Sequence, residues 1–315
     1  MFVRPHAPSD LPRFLYWTPL PSMTLRGLGT GMVESVLHYV IRLAWTTGLS
    51  NRQLVAGLTD LDQRTAVASL LSSASLCGPG QLYLHALSLL ECATGQYTLR
   101  HGSYWVLDQV LDPREFNRSS TKRRWCPQCY ANWDTETSYE ALIWSIHMVE
   151  RCIKHKCRLL DACSHCGASQ QCYVRYDARR NCRACGAPLS DGAEFVTPSA
   201  SMEWVESQVS DLVRMCATPG QEQILPEAWR MLIGALHKTV LSTSGVQRSL
   251  VRDVELLRGS ARKSRPTLRT MLNIAALQGQ SLSQILGDPL RGELGSFARH
   301  LATLQVLATA THDES

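Results

Sequence analysis

Nine of the twelve cysteines in this 315-residue chain fall between Cys126 and Cys185. Most of them form pairs separated by two residues, a spacing that turns the chain so that two side chains converge on one metal ion. In a reducing compartment, clustered cysteines indicate a metal rather than disulfides. The middle of the chain is therefore where the sequence predicts chemistry.

The first two pairs predict one site with four ligands. Cys126 and Cys129 form the first pair, and after the intervening segment 130–151 the second pair reads Cys152-x-x-His155. Three thiolates and one imidazole make a closed tetrahedral site for Zn²⁺. Cys157, two residues beyond His155, is an alternative fourth ligand.

The other two pairs predict a second site. Cys163-x-x-Cys166 and Cys182-x-x-Cys185 are separated by the segment 167–181, and a glycine follows each pair. This spacing is typical of a zinc ribbon or a treble clef. Neither predicted site leaves an open position for water. The sequence therefore predicts two structural Zn²⁺ ions, each replacing the hydrophobic core that so small a module lacks.

The remaining composition excludes several function classes. No Gly-rich Lys loop, GxSxG motif or HExxH motif is present, so we predict a protein that is not an enzyme. No apolar run is long enough for a membrane span, and the first residues lack the apolar core of a signal peptide. We expect a cytoplasmic protein. The net charge of +5 permits contact with nucleic acid without demanding it.

Three regions differ in composition. Residues 1–110 and 198–315 are helical in pattern, whereas residues 111–197 hold the cysteine cluster. We predict a mainly α fold in which helix-turn-helix units flank two zinc fingers. The polar stretch 112–124 is interpreted as a linker. Between the first two cysteine pairs, apolar residues at helical spacing predict a helix over 139–149 that delivers Cys152 and contains His147, a further alternative ligand.

The helical regions share one pattern of stop and start signals. In the first region Gly48 ends a helix, and Ser50 with Gln53 forms a capping box for the next. Ala275, Gly279, Ser281, Gln284 and Ile285 repeat Ala44, Gly48, Ser50, Gln53 and Leu54, all at the same offset along the chain. The spacing predicts two helix-turn-helix units. The alternative is two ordinary pairs of antiparallel helices packing a core.

A few polar residues are candidates for contact with nucleic acid or a partner. Asn51 and Arg52 begin the second helix of the first unit, whereas Gln280 and Ser283 are weaker candidates in the second. A basic run before the second unit can track phosphate. The four-cysteine module adds a basic surface, whose alternative is a solvated face: Arg175, Arg179, Arg180 and Arg183.

Taken together, these motifs resemble the TniQ family of transposition proteins over about residues 30 to 190. The matching segments are Glu34-Ser35-Val36, Arg42-Leu43-Ala44, Gly48-Leu49-Ser50, Trp125-Cys126-Pro127-Gln128-Cys129-Tyr130, Trp144, Cys152-Ile153-Lys154-His155, Leu159-Leu160 and Cys163-Ser164-His165-Cys166-Gly167.

The resemblance implies a non-catalytic adaptor that selects targets for a DNA transposon. Such proteins link a target-recognition element to a AAA+ ATPase that recruits the transposase, which implies a nucleoid-associated location. In CRISPR-associated members the recognition element is an RNA-guided Cascade complex with its guide RNA and target DNA, on which the adaptor sits as a homodimer. Relatives of the TnsD type instead bind a DNA site directly. A sequence-specific DNA-binding protein or a zinc-dependent transcription regulator is therefore the alternative.

Overall fold

The computed structural model describes residues 18–62, 81–112, 122–134, 138–224 and 265–287. In these residues α-helices predominate, and strand pairing is limited to isolated bridges. The prediction of a mainly helical fold is confirmed in this form. Buried apolar side chains from all five described segments join in one core. That the chain divides into domains at residues 110 and 197 stays a prediction.

The first helix ends and the second begins at the signals that the sequence predicted. Helix α1 spans Val36–Thr46 and is capped by Ser35. Beyond it, Gly48 adopts a φ of 69°, and the Leu49 N–H donates to the Ala44 carbonyl at 2.9 Å. Such a left-handed residue closes a helix at little cost only when it is glycine.

Helix α2 spans Asn51–Asp62 and starts with the predicted capping box. The Ser50 N–H donates to Gln53 Oε1 at 2.9 Å, and the Gln53 N–H donates to Ser50 Oγ at 3.2 Å. Two backbone donors of the first turn are thereby satisfied. Helix α3, Gln81–Thr94, then follows along the chain and packs against α2.

Near the carboxyl-terminal end of the described chain, a second pair of helices repeats this geometry. Helices α6, Leu268–Gln278, and α7, Leu282–Gly287, flank Gly279, whose φ is 64°. The Gln280 N–H donates to the Ala275 carbonyl at 3.1 Å, and Ser281 with Gln284 forms the capping box. The repeat thus extends from sequence to hydrogen bonds. That either pair acts as a helix-turn-helix unit stays a prediction.

Two further helices and several turns lie between these pairs in the described chain. Helix α4, Pro127–Ala131, follows Cys126, and helix α5, Ala200–Ala217, packs against α7. Turns of 3-10 helix span Leu99–Gly102, Trp105–Leu107, Leu142–Ser145 and Asp177–Arg180. At Gly102 an added Cβ would lie 2.7 Å from the Glu34 carbonyl oxygen, so this close backbone approach requires glycine.

The predicted helix over residues 139–149 is wrong. Only Leu142–Ser145 is helical, as a single 3-10 turn, and His147 lies in the turn that follows. Backbone carbonyls at the end of this segment accept hydrogen bonds from elsewhere in the chain. The Arg124 guanidinium donates to the Ile146 carbonyl at 2.9 Å and to the Val149 carbonyl at 2.6 Å. The apolar spacing reflects a segment buried on several sides rather than one helical face.

The predicted linker over residues 112–124 is not a linker at its carboxyl end. The Arg123 side chain is buried, and its backbone N–H donates to the Gln170 carbonyl at 2.8 Å. Trp125 pairs with Leu160 through an isolated bridge. This end of the stretch therefore belongs to the packed core of the cysteine-rich region. Residues 113–121 lie outside the described residues.

Candidate metal centres

Three of the four cysteine pairs adopt the same backbone geometry. The carbonyl of the first cysteine in each accepts a hydrogen bond from the N–H four residues later, at 2.7 to 2.9 Å, and its own N–H donates to the carbonyl five residues later, at 2.8 to 3.0 Å. An antiparallel bridge flanks each turn: Arg151 with Arg158, Ala162 with Ser169, and Asn181 with Pro188. We call these turns the Cys152, Cys163 and Cys182 knuckles.

The fourth residue after the first cysteine has a positive φ in every knuckle. Gly167 and Gly186 occupy this position in two of them, with φ of 70° and 77°. Lys156 occupies it in the Cys152 knuckle with a φ of 58°, a conformation that non-glycine residues rarely adopt. The glycines that follow these two cysteine pairs thus permit the turn, and Lys156 carries a strain that the sequence did not reveal.

The first centre joins α4 to the Cys152 knuckle. Cys126 is the N-cap of α4, so Cys126 and Cys129 face the knuckle across the first turn of that helix. His155 Nδ1 lies 3.4 Å from Cys126 Sγ, 3.2 Å from Cys129 Sγ and 3.9 Å from Cys152 Sγ. The Sγ atoms of Cys129 and Cys152 are 3.8 Å apart. The four predicted ligands therefore meet in one cluster.

The second centre joins the Cys163 and Cys182 knuckles. The Sγ atoms of Cys163 and Cys185 are 3.8 Å apart, and those of Cys166 and Cys182 are 3.7 Å apart. All four donor atoms lie within 4.8 Å of one another. The structure thus brings together the second predicted ligand set as well.

These distances fit a tetrahedral metal ion. With Zn–S bonds of about 2.3 Å, the sulfur atoms of a tetrahedron lie about 3.8 Å apart, and a sulfur–imidazole edge measures about 3.6 Å. The observed edges of 3.2 to 3.9 Å lie close to these values. Both groups can therefore hold a metal ion, and their thiolate and imidazole donors suit zinc.

Comparison of equivalent positions in the three knuckles distinguishes His155 from Cys157 as the fourth ligand. His155 holds the position that Cys166 and Cys185 hold in the other knuckles, three residues after the first cysteine. Cys157 holds the position of a non-ligand alanine. The group of donor atoms that could hold a metal includes His155, and Cys157 lies beside it.

Crowded thiols in the first centre do not ionise together. Hydrogen bonding with Cys129, and then with Cys152, raises the pKa of Cys126 far above its usual range. The same contacts, first with Cys126 and then with Cys129, lower the pKa of Cys152 to about 2. One thiol of the cluster therefore ionises readily, and its negative charge opposes the ionisation of a second thiol. A bound divalent cation compensates the charge of several thiolates, which is why such a cluster favours a metal.

A buried ion pair lies at the start of α1. Glu34 accepts hydrogen bonds from Arg42 Nε at 2.9 Å and from His38 Nδ1 at 2.7 Å. Burial by itself would raise the pKa of Glu34, but these partners outweigh it and lower the pKa. Burial also lowers the pKa of His38, which is therefore neutral and donates through Nδ1. Sequence reasoning found Glu34 and Arg42 only as part of the resemblance.

The structure corrects the prediction that Arg179 is a contact residue. Its side chain is 0% exposed, and its guanidinium forms a two-pronged ion pair with Glu140 while donating to the Cys172 carbonyl at 2.7 Å. Arg179 therefore has no surface for nucleic acid, and that part of the prediction is wrong. Its charge is needed inside the protein, because Glu140 is buried as a carboxylate.

The other predicted contact residues lie at the surface. Arg52, Arg175, Arg180 and Arg183 are exposed, and Asn51 is half-buried at the start of α2. Arg175 pairs with Asp177 at 2.8 Å. Exposure is compatible with a contact role but does not establish one. Most of the basic run, at Arg248, Arg252, Arg258, Arg262 and Lys263, lies outside the described residues.

The first turn of α7 differs from that of α2. Helix α5 covers it, because the Leu282 N–H donates to the buried Gln208 Oε1 at 2.9 Å. The weaker candidates Gln280 and Ser283 are accordingly half-buried. Of the two helix pairs, the first thus offers the more accessible second helix.

A further ion pair, which the sequence did not reveal, joins the Cys152 knuckle to α5. Arg151 donates to Glu206 through Nε at 3.0 Å and Nη2 at 2.7 Å, and to the Val196 carbonyl at 3.0 Å. The partners are 55 residues apart in the sequence and both are buried. Residue spacing within a short segment therefore could not have predicted this contact.

Among the described residues, no helix combines the length and apolar character needed to cross a membrane.

Residues 25–159 match the model of the TniQ family, and no curated protein matches the chain. Residues 25–159 therefore form a TniQ domain, as the sequence motifs predicted. The matched segment contains α1, α2 and the whole first candidate metal centre. The TniQ domain implies a target-selection role associated with transposition.

Proposed function

With the TniQ domain as the starting point, we propose that the chain is a non-catalytic adaptor that links target recognition to a AAA+ transposition ATPase. The ATPase then recruits the transposase. In this proposal the recognition element is an RNA-guided Cascade complex with guide RNA and target DNA, and the adaptor acts as a homodimer. The family match over residues 25–159 is the observation that carries the proposal.

The adaptor's two metal centres are assigned to structural zinc. Bound Zn²⁺ would supply coordination bonds that tie segments distant in sequence, and both ligand sets are closed. Cys126, Cys129, Cys152 and His155 would hold one ion, and the four-cysteine set would hold the other: Cys163, Cys166, Cys182 and Cys185. Their donor types and edge lengths support this assignment.

A stiff surface is what an adaptor requires, because ordering a flexible one on binding weakens association. The buried pair of Arg151 with Glu206 ties α5 to the cysteine-rich region, whereas the pair of Arg179 with Glu140 lies within that region and the pair of Arg42 with Glu34 lies within the α1 segment. Exposed Trp45 and Leu49 lie at the turn between α1 and α2. The Trp45 ring stacks on Tyr176, with centroids 6.3 Å apart. This turn is the place in the TniQ domain where we expect a partner to contact.

A co-purification experiment tests the adaptor function. The tagged full chain is mixed with the ATPase and the Cascade complex of the same transposon, with and without target DNA. We expect both to be retained, and expect Trp45→Ala to weaken retention more than Tyr97→Ala, an equally conspicuous exposed aromatic elsewhere. Failure to retain the ATPase under any of these conditions would overturn the proposal.

The second candidate function is sequence-specific DNA binding, in the manner of a TnsD-like target-site protein or a transcription regulator. The observation that favours it is the exposed first turn of α2, which carries Asn51 and Arg52. It predicts tight binding to one short duplex that weakens steeply with salt.

Competition against random duplex separates the two functions. If α2 reads bases, Arg52→Ala relaxes the preference for the cognate duplex, whereas Arg214→Ala, at an exposed position of α5, leaves it unchanged. Equal affinity for cognate and random duplex would refute the DNA-reading function while leaving the adaptor function intact.

A further inference from the structure

A fifth sulfur atom lies beside the four ligands of the first centre. The Sγ atoms of Cys157 and Cys126 are 3.4 Å apart, and both residues are fully buried. Cys157 is nevertheless not part of the group whose donor atoms lie mutually within 4.8 Å. Its thiol therefore contacts one ligand from outside the ligand set.

Comparison of the three knuckles shows that the thiol is not required by the turn. Cys157 holds the fifth position after the first cysteine, where the other knuckles have Ala168 and Ala187. In each case the carbonyl of this residue accepts the N–H of the first cysteine, at 2.8, 3.0 and 2.8 Å. Alanine thus performs the backbone role, and the sulfur is an addition specific to the first centre.

We propose that the Cys157 thiol donates a hydrogen bond to the Cys126 thiolate and thereby stabilises the metal-bound centre. This inference depends on the zinc assignment made above. Cys126 Sγ also accepts the Cys129 N–H at 3.2 Å, so the thiolate has one backbone donor and one side-chain donor. Each such bond withdraws electron density from the sulfur, which makes it less reactive toward competing electrophiles.

The second centre has the same arrangement with a different donor. Cys182 Sγ accepts the Ala184 N–H at 3.4 Å and Gln170 Nε2 at 3.2 Å. Gln170 is buried, and its amide is oriented by a bond to the Ala168 carbonyl at 2.8 Å and by the Arg183 N–H at 3.2 Å. One buried thiolate in each centre therefore receives a backbone donor and a side-chain donor. Cys157 and Gln170 are the two side-chain donors.

Cadmium-113 NMR of the cadmium-loaded full chain tests this role, because the resonance reports the electron density of its sulfur ligands. The wild-type chain should give two resonances, one for three sulfurs and a nitrogen and one for four sulfurs. Cys157→Ala should shift only the first, and Cys157→Ser, which keeps a donor, should shift it less. Gln170→Leu should shift only the second and is the matched control. Cys216→Ala removes a buried thiol outside both ligand sets and should shift neither.

Metal loss gives a second readout. After addition of a chelator, the first resonance should decay about three- to tenfold faster in Cys157→Ala, as expected for loss of one ordinary hydrogen bond. If the Cys157→Ala variant lacks the first resonance even before chelator is added, Cys157 is itself a ligand and the proposal is overturned. Unchanged shift and decay would refute the donor role. A wild-type chain with fewer than two resonances would refute the zinc assignment and the inference together.

Discussion

Arg179 and Arg180 are neighbours in the sequence that differ completely in environment, and this difference makes a sharp stability prediction. Arg179 is buried against Glu140, whereas Arg180 is exposed. Burial by itself would raise the pKa of Glu140, but the charges of Arg179 and then Arg123 outweigh it and lower the pKa to about 2. The carboxylate is therefore held in the core by the arginines.

Replacing Arg179 with Met should destabilise the protein by about 3 kcal/mol or more. A lowering of the Glu140 pKa from 4.5 to about 2 corresponds to a net stabilisation of the carboxylate of about 3 kcal/mol, after the cost of burial has been subtracted. Removing one partner of a buried pair costs about 3–5 kcal/mol, because the other charge stays buried. Arg123 Nε, 3.8 Å from Glu140 Oε1, offsets part of this loss and favours the lower end.

Urea denaturation followed by circular dichroism measures the effect. Arg180→Met is the matched control and should change the free energy of unfolding by less than about 0.5 kcal/mol. The double variant Arg179→Met with Glu140→Leu should recover part of the loss, because it removes the carboxylate that Arg179 neutralised. Recovery should be incomplete, because buried Arg123 then loses its ion-pair partner Glu140. A change below about 1 kcal/mol in Arg179→Met, or equal effects at Arg179 and Arg180, would refute this reasoning.

Three further predictions concern the knuckles, α1 and the metal. Lys156→Gly should stabilise the protein by about 0.5–1 kcal/mol, because glycine adopts a positive φ without strain. Gly167→Ala should destabilise the protein by about 1–2 kcal/mol. The cause is the positive φ alone, since no atom lies within 4 Å of the added Cβ. Thermal unfolding checks both, and the same sign for the two variants would contradict the argument. Because burial lowers the pKa of His38, the unfolded chain binds a proton that the native protein excludes, so stability should fall as pH drops from about 6.5 to 5. His38→Gln should flatten that slope in urea titrations, and an unchanged slope would argue against a neutral buried His38. Chelation, or Cys126→Ser, should expose the middle region to protease; full resistance of the metal-free chain would show that the core alone holds it.

Local signals in the sequence predicted much of what the structure shows. Cysteine spacing, the capping boxes and the glycines after the helices act within a few residues, so they can be recognised from the sequence alone. The ligand sets and the repeated turn at Gly48 and Gly279 were predictable for this reason.

The contacts that could not be predicted join distant parts of the chain. Glu140 and Arg179 are separated by 39 residues, and Cys126 and Cys157 by 31. An arginine in a basic run looks the same in sequence whether it faces solvent or a buried carboxylate. The mistaken assignment of Arg179 to a nucleic-acid surface follows from that ambiguity.

Elemental analysis of the purified chain, combined with X-ray absorption spectroscopy at the metal edge, tests the two-zinc assignment. Two zinc ions per chain should be found, with sulfur at about 2.3 Å as the main neighbour and a minor nitrogen component at about 2.0 Å. This composition corresponds to seven thiolates and one imidazole shared by two ions. Fewer than two zinc ions, or a shell dominated by nitrogen and oxygen, would contradict the proposed metal centres.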